Sequence, residues 1–198
     1  MSNSTWVGTS DNRAQIAKVG LDALMSMYGA AWARQGIHTE LIAFGNRSAE
    51  LRFDTFAALM SAAGAFHGLV GHNRRYYFDP MHGYLEPVYY DGDATFVDAG
   101  RLSAQPSQAA LRGSQPALTA LRAVDRDSLW AELTASGAAL SRDEMEAALA
   151  LVETRLAQFA DMPVQGIRAV KFPASNFANL EARNRVLVFA TDRQHATV

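Results

Sequence analysis

Cysteine is missing from this sequence altogether, and lysine nearly so. Without cysteine there are no disulfides, no thiolate metal ligands and no thiol nucleophile, although the redox compartment stays open. The only lysines are Lys18 and Lys171, so a phosphate-contacting lysine has just two candidates. A formal charge of -2 supplies no global field for nucleic acid, and no polybasic run marks a phosphate track. No apolar stretch runs the ~20 residues of a membrane span. Met1 to Gly8 carries no basic segment followed by an apolar run, so no secretion signal is visible and a cytoplasmic location is the default expectation. Gly-x-Gly-x-x-Gly, Walker and Gly-x-Ser-x-Gly patterns are lacking too, which removes those phosphate loops and serine hydrolysis.

What is present suits a folded chain. Apolar residues make up 49% of the 198 positions, enough to exclude a wholly disordered polymer. We expect a flexible segment over 1–11 and one domain over 12–198. Ile16, Val19, Leu24 and Met27 recur at near-helical intervals between Asn12 and Tyr28. Leu41 to Phe44 is a short apolar run, readable as a buried strand or a helix end. Phe56, Leu59, Met60 and Ala63 share one face of a helix predicted over 53–66, with Asp54 as its cap. The stretch 101–124 is rich in Ala, Ser and Gln and contains Pro106 and Pro116, so it reads as a connector with helical turns. Asp127 is the expected cap of a helix ending before Gly137. Ser141 and Glu144 have the capping-box spacing ahead of Met145, Ala148, Leu149, Val152, Leu156 and Phe159. Val186 to Phe189 has strand character.

Chemistry-bearing residues gather around Gly71 to Asp93. Two short aromatic segments flank Asp79-Pro80-Met81-His82-Gly83, whose composition is that of a tight turn. With Phe78 opposite Tyr84, Asn73 and Asp91 come to the open end of one hairpin. An amide oxygen and a carboxylate suit a hard cation such as Mg²⁺. In an extended backbone Asp93 shares a face with Asp91. Arg74 and Arg75 alternate in facing, leaving one of them to pair with Glu86 or a ligand phosphate. The turn residue His82 is distant from Asp91, and His38 and His195 lack ligand-spaced neighbours, which argues against zinc.

His67-Gly68, His72-Asn73-Arg74-Arg75-Tyr76-Tyr77 and Glu86-Pro87-Val88-Tyr89-Tyr90-Asp91-Gly92-Asp93 together resemble the signature region of CotH-like proteins, the spore-coat protein kinase family. The resemblance covers about residues 40 to 95. It implies an α+β fold of the atypical protein-kinase-like C-terminal lobe, mainly helical with a short aromatic β-hairpin. It also implies Mg²⁺ and ATP as ligands, with phosphate passed to a protein hydroxyl. Asn73 matches the metal-binding amide, Asp91 the metal-binding and catalytic carboxylate, and Asp93 the accessory carboxylate. Arg74 adjoins the nucleotide.

Two departures shape the alternatives. Where the family's catalytic aspartate is expected, before Asn73, the chain has Phe66, His67, Gly68 and Leu69, so His67 takes the catalytic-loop position. Only about 65 residues precede that loop, too few for a β-rich N-lobe. The alternative function is therefore a non-catalytic, pseudokinase-like or structural domain that binds protein, as a fragment of a longer chain or with a partner supplying the N-lobe. A third possibility, a metal-dependent hydrolase using Asp91 and Asp93, requires Glu86 or Asp98 nearby.

Overall fold

The computed structural model describes residues 8–32, 46–70, 73–79, 81–82, 84–96 and 105–165. The apolar run at 41–44, readable as a strand or a helix end, and the expected strand at 186–189 lie outside these residues. The described chain is α+β, mostly helical with one short antiparallel hairpin. Helix α1 spans Asp11–Trp32 and α2 spans Arg47–Ala62, followed by a 3₁₀ turn at Phe66–Leu69. Strands β1 (Arg75–Asp79) and β2 (Tyr84–Val88) pair as a two-stranded sheet. Helices α3 (Gln108–Arg122), α4 (Arg126–Ala135) and α5 (Arg142–Ala160) complete the order. No helix among the described residues is long and apolar enough to cross a membrane.

The chain divides into two compact units, one of residues 1–50, 78–85 and 166–198, the other of 51–77 and 86–165. Within the first, α1 approaches β1 closely, since a Cβ on Gly20 would come within 2.8 Å of the Phe78 ring. Ala49 and Tyr84 are buried together. The Asp79 carboxylate closes the hairpin tip by accepting from the backbone N–H groups of Met81 and His82 at 2.9 and 3.2 Å.

The second unit has an alanine-rich core. Ala57, Ala58 and Ala62 of α2 meet Ala110, Leu111, Ala117 and Leu118 of α3 and Val152, Leu156 and Phe159 of α5. Small side chains let the helices approach closely, while Leu156 and Phe159, fully buried, fill the remaining volume. The contact of α2 with α3 is tightest at Gly113, where any side chain would overlap the Asp54 carbonyl group. One turn position away, Arg112 donates to both Asp54 oxygens, at 2.8 and 2.9 Å.

Several expectations are corrected here. Residues 108–122 are not a connector but a helix whose inner face belongs to the core. Pro116 sits inside it, and burial of Ala117 and Leu118 outweighs the lost backbone hydrogen bond. The α2 cap is Asn46, whose side chain accepts from Ser48 N and Ala49 N. Asp54 is instead a buried mid-helix carboxylate. The cap of α4 is Asp125, accepting from Asp127 N and Ser128 N. The expected capping box at Ser141 and Glu144 is fully formed.

Candidate functional site

The site grows from the end of α2. There Gly64 takes φ 71°, with Gly64 N donating to Ser61 O and Ala65 N to Met60 O. These two bonds close a left-handed helix cap that turns the chain into the 3₁₀ turn. The released Ala63 carbonyl accepts from Thr95 N at 3.1 Å, and the buried Arg155 of α5 donates to the Ala62 carbonyl at 2.8 Å. Helix end, α5 and the segment after β2 are thus fastened together. Gly68 continues the seam, since a Cβ there would stand 3.0 Å from the Tyr90 carbonyl oxygen. This brings Asp91 beside His67.

His67, Asn73 and Asp91 converge. Asn73 is only 8% exposed. Its Nδ2 donates to the His67 carbonyl oxygen at 3.2 Å and lies 3.1 Å from His67 Nε2. On the opposite edge of the ring, His67 Nδ1 is 3.6 Å from Asp91 Oδ2, with both side chains about half exposed. Asp91 has φ 47°, a left-handed conformation that aspartate tolerates better than most residues. The turn from Val70 to Arg74 is held by Asn73 N and Arg74 N, both donating to Val70 O.

The other expected site residues are placed differently. Asp93 has φ 49° and Asp91 also departs from extended backbone, so the alternation argument that put both carboxylates on one face does not apply. Asp93 is exposed and makes no hydrogen bond or ion pair with a described residue. Arg74 Nε donates to the Leu69 carbonyl, and Arg75 lies over the Tyr90 ring at 4.3 Å. Glu86 pairs with Arg52 of α2 at 2.6 Å, not with either strand arginine. β1 begins at Arg75 and β2 ends at Val88, so Asn73 and Asp91 lie beyond the ladder. Their proximity comes through His67, not through cross-strand register.

The donor set fits a hard cation only in a limited sense. Among the described residues no group of three His, Cys, Asp or Glu side chains is placed to hold a metal. The imidazole stands between Asn73 and Asp91, so amide and carboxylate do not enclose a ready cage. Mg²⁺ typically takes one or two protein oxygens and completes its shell with phosphate and water. Asp91 and Asn73 Oδ1 are the oxygens this site offers for that arrangement. Sequence reasoning missed Thr95, Arg155 and Tyr90 as supports. Each acts through a long-range contact that no local pattern announces.

Comparison with protein-family models, with curated proteins and with solved structures gives no match to this chain.

Proposed function

We propose that this chain is a Mg-ATP-dependent phosphotransferase of the CotH-kinase type, acting on a protein hydroxyl. The observation that supports it is the meeting of Asn73, His67 and Asp91 beside the base of the hairpin. In this reading Asp91 and Asn73 Oδ1 hold Mg²⁺ carried with the nucleotide, while Asp93 and Arg74 lie near the phosphates. Bound Mg²⁺ supplies charge neutralisation for the transferring phosphate. His67 occupies the catalytic-loop position.

A second reading is a non-catalytic, protein-binding domain. It is favoured by Asp54, the nearest upstream carboxylate, whose two oxygens are both taken by Arg112. Titration calorimetry with ATP, with and without Mg²⁺, tests the proposal, together with phosphate transfer to a generic protein acceptor. Asp91→Asn is the proper control, because asparagine tolerates the left-handed backbone while removing the charge. Mg²⁺-dependent binding and transfer, both lost in Asp91→Asn, are the expected outcome. Binding without transfer favours the second reading, and no binding by a folded chain overturns the nucleotide assignment.

A further inference from the structure

We propose that His67 is a positioning residue, held as the Nδ1–H tautomer, that fixes the Asn73 amide with its oxygen outward and presents its own N–H to Asp91. The role assigned to the Asn73 oxygen rests on the Mg-ATP reading above; the tautomer does not.

The His67 backbone oxygen can only accept, so the Asn73 atom 3.2 Å from it is the NH₂ nitrogen. That fixes the amide orientation on chemical grounds. The same NH₂ group lies 3.1 Å from His67 Nε2. Facing a donor, Nε2 must offer its lone pair, and a neutral imidazole with a bare Nε2 carries its proton on Nδ1. Nδ1 faces Asp91 Oδ2, an acceptor. At 3.6 Å the pair is longer than a direct hydrogen bond and is within reach of electrostatic attraction. The opposite tautomer requires a flipped amide, with Asn73 Oδ1 pressed against the His67 carbonyl oxygen. Two acceptors at that distance repel.

Two consequences follow. The one lone pair of the ring, on Nε2, faces the Asn73 NH₂ group, so in this arrangement it is not directed at an incoming hydroxyl. Asn73, with its nitrogen committed twice, presents Oδ1, to which no described residue donates. Amide oxygens, not amide nitrogens, bind hard cations. The ring therefore decides which end of Asn73 a ligand meets.

The full chain, labelled with ¹⁵N-histidine, is examined by long-range ¹H–¹⁵N correlation at an alkaline pH where imidazoles are neutral. The His67 signals are identified by their loss in His67→Gln. We expect a pyridine-type Nε2 and a pyrrole-type Nδ1, with the pattern reversed in Asn73→Asp, which replaces the donor by an acceptor. A protonated Nε2 in the unaltered chain overturns the inference whatever the nucleotide does. Mg-ATP titration then reads the positioning role. His67→Ala weakens binding by roughly 10- to 100-fold, as expected when a ligand's orienting partner is removed. His67→Gln, which keeps an acceptor, recovers part of that loss. Unchanged affinity in His67→Ala overturns the positioning role. Absence of Mg-ATP binding in the unaltered chain overturns the functional reading while the ring spectrum still decides the tautomer.

Discussion

Asp54 is 6% exposed in the middle of α2, and both of its oxygens accept from the Arg112 guanidinium. Asp91, half exposed on a left-handed backbone, faces the edge of the His67 imidazole and no other charged group among the described residues. The same carboxylate is structural in one place and presented in the other. Removing the first leaves a guanidinium, itself mostly buried, without its counter-charge. Asp54→Ala is therefore expected to cost about 3 kcal/mol, the scale of a broken buried pair. Asp54→Asn, which retains an acceptor, costs less. Urea unfolding of the two variants measures both. Equal stability of Asp54→Ala and the unaltered chain would remove the pair from the list of supports. The carboxylate's fate was not readable from sequence, because Asp at the start of a predicted helix suggests a cap and its arginine partner lies in a different helix.

At the scale of elements, the signals carried by neighbours in sequence were legible. The Ser141 and Glu144 spacing announced α5, and the aromatic segments around Asp79 announced the hairpin. Helix α3 was not recognised, because Pro106 and Pro116 read as breakers in a stretch rich in Ala, Ser and Gln. Its apolar positions 110, 111, 117 and 118 nevertheless follow helical spacing, and burial against α2 and α5 decides the outcome. The reason for Gly113 becomes visible only with α2 in place. A methyl group there would overlap the Asp54 backbone, which no rotamer change can relieve. Gly113→Ala raises helix propensity by about 1 kcal/mol, yet it should destabilise the chain by about 3 kcal/mol through the forced separation of two helices. Thermal unfolding followed by circular dichroism tests the sign. A raised midpoint would show that the contact is looser than described. The site follows the same division. The Asn73 and His67 pairing joins residues six apart in sequence, but the approach of Asp91 depends on Gly64, Gly68 and Thr95, and these meet only in three dimensions.

At the scale of the whole molecule, several described arginines are paired with carboxylates of other elements. Among the described arginines, Arg122 and Arg126 pair with Glu153 and Glu146, Arg142 with Asp127, Arg52 with Glu86 and Arg112 with Asp54. The full sequence carries 18 basic and 20 acidic side chains, a formal charge of -2. The balance holds only while the carboxylates are ionised. Three carboxyls on different elements are held below their ordinary values. Asp79 is lowered first by the His82 side chain, Asp125 first by the Ser128 hydroxyl and Glu144 first by the Ser141 backbone N–H. A carboxyl with a depressed folded-state pKa contributes stability above its ordinary value, 3.8 for Asp and 4.5 for Glu. That contribution is lost as pH falls through the lowered folded value. Protonation also strips the arginines of their partners and leaves a strongly cationic chain. The thermal midpoint should therefore change little from pH 7 to about 5 and fall steeply below about 4. Asp125→Asn combined with Glu144→Gln keeps hydrogen-bonding caps but cannot titrate, so its decline should be shallower. Parallel acid profiles for the two proteins would move the source of acid lability from these helix caps to the interhelical arginine pairs.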